Sequence, residues 1–219
     1  MGHWITLDTH ADSIRAWRAD PAILPHGALV VVQEIFGVNS HIRDVVDQFA
    51  AHGFIAIAPC LFDHSERDVE LGYDSDGVER GRQLVAAIGI DSALADVHAA
   101  VRHVAAEAHV GVVGYCWGGT VAYLACTRLG LPAVSYYGGR TVPFLHERPQ
   151  APLLLHFGES DPIIPPGDVQ KHRDALPMAE IHVWPAGHGF NCDQRGDYNA
   201  EVAEQALART LAFFGQHLR

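Results

Sequence analysis

Six short runs set the architecture open to this chain, because all but the last are continuously apolar rather than alternating with polar residues. They are residues 28–33 (ALVVVQ), 53–58 (GFIAIA), 109–114 (HVGVVG), 132–137 (PAVSYY), 152–157 (PLLLHF) and 180–184 (EIHVW). Between them lie stretches with helical spacing: 41–51, roughly 91–106, and 117–129, the last closed by Gly130. A final helix is expected over about 199–217, with Leu207, Leu211 and Phe214 on one face. The polar segment 62–82 reads as a surface loop running into a helix. Continuous apolar strands alternating with helices predict an α/β fold, a mostly parallel central sheet with helices on both faces. With 219 residues, 48% of them hydrophobic, and no low-complexity tract or linker, residues 1–219 are expected to form one domain.

Composition narrows the partners. Fifteen Lys plus Arg against 26 Asp plus Glu give a formal net charge of −11. That balance argues against nucleic acid or an anionic membrane as the main partner. The first ten residues, MGHWITLDTH, carry neither a basic lead nor a signal-length apolar core, and no apolar run approaches the roughly 20 residues of a membrane helix. Cys60, Cys116, Cys126 and Cys192 form no Cys-x-x-Cys pair, so reduced thiols and a cytoplasmic setting are expected.

In parallel sheets chemistry collects at the carboxyl ends of the strands. The residues standing there are Glu34, Cys116, Asp161 and His188. Gly114-Tyr115-Cys116-Trp117-Gly118-Gly119 joins a strand to a helix and fits Gly-x-nucleophile-x-Gly, with Cys at the nucleophile position. Such a turn is sharp, so residues two away from the nucleophile must lack side chains. It also sets the sulfur at a helix N-terminus, which favours a thiolate. The N–H of Trp117 would meet a developing oxyanion, joined by a second N–H near Ile35 or Phe36. A buried cysteine in an ordinary glycine-rich turn gives the same local pattern.

Asp161 and His188 each follow a strand, in the order nucleophile, acid, histidine. His188 would take the thiol proton and Asp161 would fix the imidazole tautomer. Glu159 is a rival acid and Asp193 a weaker one. Asp161 before Pro162 is equally the pattern of a turn residue. Taken singly, His188 is one of 15 histidines.

The chain resembles the dienelactone hydrolase (carboxymethylenebutenolidase) family of α/β-hydrolases. The resemblance runs through Gln33-Glu34-Ile35-Phe36-Gly37-Val38-Asn39, the turn at 114–119, Tyr136-Tyr137-Gly138, Gly158-Glu159-Ser160-Asp161 and Gly187-His188-Gly189-Phe190. It implies an α/β-hydrolase fold and a Cys116–His188–Asp161 triad. It further implies that Glu34 contacts the resting thiol, although the residues alone allow Glu34 to cap the helix near residue 41. The implied chemistry is hydrolysis of carboxylic esters or enol lactones through an acyl-thioester. Phe36, Arg80, Arg82, Tyr115 and Phe190 are expected to contact substrate.

One position departs from the family pattern. The arginine expected four residues after the histidine is Cys192 here, with Arg195 nearby. A thiol cannot replace a guanidinium fork. A thioesterase or general carboxylesterase with an apolar acyl pocket is therefore an alternative, and a non-catalytic thiol-bearing binding or redox-sensing protein is a third. No zinc-type His/Cys spacing and no phosphate-cradling Gly-x-Gly-x-x-Gly occurs, so no metal and no cofactor is expected. The expected partner is a small-molecule ester or lactone, the expected state a monomer or weak homodimer.

Overall fold

The structure is a computed structural model and describes residues 1–10 and 12–218. These group into two compact units: Met1–Gly111 together with Leu218, and Val112–His217.

The first unit contains β1 (His3–Asp8), β2 (Ser13–Ala19), β3 (Ala28–Val32), α1 (Ser40–Ala51), β4 (Ile55–Pro59) and α2 (Ser75–Val104). Its strands lie in the order β1-β2-β4-β3. β3 and β4 are parallel, with Leu29 opposite Ala56. Every residue of both strands is buried, so both faces are covered, which explains their unbroken apolar runs. β1 and β2 form an antiparallel hairpin that also pairs antiparallel with β4. The sequence reading missed this hairpin. Of β1 only Leu7 is buried, so its alternation carries little apolar signal.

Asn39 caps α1, its side chain accepting from the Ile42 N–H at 3.2 Å, so the cap that the sequence left open to Glu34 belongs to Asn39. α2 begins at Ser75 behind the N-cap Asp74, whose Oδ1 accepts the Gly77 N–H at 2.8 Å. Asp74→Ala is expected to lower stability by about 1 kcal/mol, measured as the midpoint of urea unfolding. The expectation that no segment is apolar enough to cross a membrane is corrected here. α2 carries a stretch of mean hydropathy 1.6, sufficient by length and composition. That stretch is half buried within the protein, and Gly89 (φ 69°) breaks the helix into two pieces, each shorter than the roughly 20 residues a span requires.

The second unit is built from all of β5 (Val110–Tyr115) beyond its first two residues, α3 (Trp117–Leu129), β6 (Ala133–Tyr136), a 3₁₀ turn (Val142–Phe144), β7 (Leu153–Gly158), α4 (Pro166–Ala175), β8 (Glu180–Trp184) and α5 (Ala200–His217). Strands β5-β6-β7-β8 are parallel neighbours in chain order. Taken together, the strand pairings have the expected α/β, mostly parallel character, the antiparallel exceptions being β1-β2 and β2-β4. α4 was not anticipated: only Val169 and His172 are buried, so no apolar stripe marks it. α5 lies where expected but turns a different face inward. Val202, Ala206, Thr210, Phe213 and Phe214 are buried, while Leu207 and Leu211 are only half-buried. A threonine takes the central place because its hydroxyl has partners there, Tyr136 and His156.

Candidate active site

The carboxyl ends of β5, β7 and β8 bring three expected residues together within the second unit. Cys116 follows β5 directly and caps α3 with φ 54° and ψ −118°. That conformation costs a non-glycine residue about 1–3 kcal/mol and persists only where surroundings enforce it. Here the Cys116 N–H donates to the Tyr136 carbonyl at 3.0 Å, and the Cys116 carbonyl accepts the Gly119 N–H at 2.9 Å. The glycines follow from the same sharpness. A Cβ on Gly114 would stand 1.9 Å from the Gly118 carbonyl oxygen, and one on Gly119 would meet Ser135 Oγ at 2.7 Å.

The His188 imidazole lies between the other two groups. Its Nε2 is 3.2 Å from Cys116 Sγ and its Nδ1 is 2.7 Å from Asp161 Oδ2. Asp161 divides its two oxygens. Oδ1 accepts the N–H groups of Ile163 (2.8 Å) and Ile164 (3.2 Å), which builds the turn, while Oδ2 holds the histidine. One oxygen of Asp161 thus serves the turn while the other faces the imidazole. Glu159, the rival acid, is exposed.

Asp161 and His188 are 4% and 2% exposed. Burial by itself disfavours the imidazolium, but hydrogen bonds to Asp161 and to the Cys116 sulfur outweigh it and push His188 up to about 10. Since this exceeds the ordinary value of 6.5, charged His188 stabilises the fold fully below about pH 6.5 and ceases to do so as pH rises through about 10. The urea midpoint of the wild type should fall across that window, and His188→Ala should lack this part of the decline.

Around the triad, the Tyr137 ring lies 5.1 Å from that of His188, and Phe190 meets Tyr137 edge-on at 5.2 Å. Tyr137 itself has φ 40°. It belongs to the site's wall and escaped the residue-by-residue reading. Its only sequence signal is the Tyr136-Tyr137-Gly138 segment at a strand end. Tyr115 and Phe190, expected to touch substrate, are buried in this aromatic packing, Tyr115 at 4.7 Å from Tyr136. Cys192 is fully buried, and the Arg195 guanidinium packs so closely on Gly189 that a Cβ there would be 2.8 Å from Cζ. Cys60 and Cys126 are also buried. Burial pushes the Cys60 thiol far up and the Cys126 thiol up to about 11, so neither is an ionisable thiol near neutrality, whereas Cys116 is half-buried.

Trp117 heads α3 in the second unit, while Glu34, Ile35, Phe36, Arg80 and Arg82 lie in the first. Glu34 is fully buried just after β3. The Ile35 carbonyl packs on α2, 2.2 Å from where a Cβ on Gly81 would stand. Phe36 packs on Tyr73 at 4.5 Å. Arg80 and Arg82 sit on an exposed part of α2, and Arg80 pairs with Glu66 and Gln83. A groove of about 580 Å³, lined among others by Leu153, Leu176, Met178 and Phe213, opens beside the N-terminal ends of β7 and β8. It is at the opposite end of those strands from Asp161 and His188.

The dienelactone hydrolase family profile matches residues 14–218. The chain belongs to the dienelactone hydrolase family. A Synechocystis protein provisionally named a carboxymethylenebutenolidase is 31% identical, with 98% of this chain and 96% of the relative aligned. The carboxymethylenebutenolidase of Pseudomonas putida is also 31% identical, over 88% of this chain and 87% of its own. The crystal structure of a provisionally named dienelactone hydrolase from Klebsiella pneumoniae superposes with a TM-score of 0.86 at 29% identity, covering 99% of each chain. As a dienelactone hydrolase family member with this fold, the protein is an α/β-hydrolase acting on ester or lactone bonds.

Proposed function

We propose that the protein cleaves carboxylic esters or enol lactones by nucleophilic catalysis at Cys116. The observation carrying this is the single hydrogen-bonded line from Cys116 Sγ through His188 to Asp161. His188 takes the thiol proton, and the thiolate adds to the ester carbonyl. The oxyanion is met by the N–H of Trp117 at the start of α3. Collapse expels the enolate or alkoxide, which takes the proton from His188, and leaves an acyl-thioester on Cys116. Water, giving its proton to His188, then releases the acid. A thiolate suits activated esters with good leaving groups, and it is poorly matched to amides.

A second reading concerns the substrate. Cys192 is buried where the family resemblance leads one to expect an arginine, which favours esters with apolar acyl groups over anionic lactones. The test is acid-quenched turnover of p-nitrophenyl acetate followed by mass spectrometry, beside rate measurements on a dienelactone. An acetyl group on the Cys116 peptide supports the mechanism. Turnover with no acylated Cys116 at any quench time, and equal rates in its absence, rejects it. Fast hydrolysis of the simple ester with none of the dienelactone supports the second reading.

A further inference from the structure

Beneath the triad, within the second unit, runs a chain of buried polar side chains that the reaction itself does not use. Trp184 at the end of β8 donates its Nε1–H to His156 Nδ1 on β7 at 3.1 Å. His156 Nε2 lies 3.2 Å from Thr210 Oγ1 on α5, and Thr210 Oγ1 lies 2.6 Å from the Tyr136 hydroxyl on β6. His156, Thr210 and Tyr136 are 0% exposed. An indole N–H can only donate, so His156 Nδ1 accepts and its Nε2–H donates to Thr210. Burial, reinforced by His182 and Arg209, holds His156 well below its ordinary range, so the ring stays neutral and these roles stay fixed.

The far end of this chain meets the reacting groups. The Tyr136 carbonyl accepts the Cys116 N–H, and the Tyr136 ring lies 6.1 Å from Phe190, two residues beyond His188. The Tyr137 N–H donates to the His156 carbonyl at 2.8 Å, and its ring faces His188. Deleting the Thr210 hydroxyl would leave two buried groups, the His156 N–H and the Tyr136 hydroxyl, short of a partner. Such groups relieve that cost by shifting.

We propose that Thr210 is a positioning residue, its hydroxyl joining Tyr136 to His156 so that the Cys116 turn and His188 are held at reacting distance. This rests on Cys116 acting as the nucleophile. The variants to compare are Thr210→Val, which removes the hydroxyl at nearly constant volume, and Thr210→Ser, which keeps it. Two readouts are needed: kcat and KM for p-nitrophenyl acetate, and the rate of Cys116 alkylation by iodoacetamide followed by mass spectrometry.

Thr210→Val is expected to lose about tenfold or more in kcat with KM within about twofold, and to alkylate more slowly, because small misplacements cost large rate factors. Thr210→Ser should restore both. A Thr210→Val protein that melts lower yet keeps wild-type kcat and alkylation overturns the proposal, as does a Thr210→Ser protein as impaired as Thr210→Val. If Thr210→Val does not fold, Tyr136→Phe is read by the same criteria, since it removes the other end of the same bond. If the wild type hydrolyses no ester, the nucleophile reading fails separately, and the alkylation rates alone decide the positioning claim.

Discussion

Cys116→Ala should reduce hydrolysis of p-nitrophenyl acetate by at least about 10³-fold. Removing the nucleophile of a triad leaves only binding and oxyanion stabilisation, so the loss falls on kcat. The substitution takes away a sulfur and nothing that packs deeply, since Cys116 is half-buried at the mouth of α3. Circular dichroism and the melting temperature should therefore stay near those of the wild type, which separates lost chemistry from lost fold. A variant that folds and retains a tenth of the activity would mean that another group, or water activated by His188, performs the attack.

Asp161→Asn should be the next most damaging change, with kcat falling by about 10³-fold or more. The two oxygens of this side chain do different work. The amide oxygen of Asn can still accept the Ile163 and Ile164 N–H groups, so the turn survives. The other position then presents an NH₂ group to His188 Nδ1, which favours the tautomer whose proton sits on Nε2 and points it at the sulfur. The carboxylate charge that supports the imidazolium is gone as well. Histidine titration followed by NMR should show His188 moving down from about 10 toward its ordinary range. Unchanged kcat with an unchanged titration would remove Asp161 from the mechanism.

Much of this was readable before any coordinates, and the exceptions have local causes. α3 carries the bounds expected from sequence because a positive-φ glycine at 130 ends it, and β8 also lies at its expected bounds, 180–184. Cys116, Asp161 and His188 were found by their position after strands, a property of parallel topology that leaves a trace in chain order. β1 escaped because one buried leucine does not make a pattern, and α4 because its buried residues are a valine and a histidine. The inward face of α5 was misjudged for a related reason. Counting apolar residues favours Leu207 and Leu211, whereas Thr210 is buried through hydroxyl partners that no one-dimensional pattern displays. Tyr137 shares that difficulty, since its closeness to His188 depends on where a separate strand ends.

On the proposed mechanism, the left-handed backbone of Cys116 sets the interests of durability and of turnover against each other at one residue. Glycine would sit there without strain. A laboratory selection for heat resistance alone, blind to hydrolysis, would thus be drawn toward erasing the nucleophile. Persistence of cysteine at 116 through such a selection would have to be enforced by demanding product.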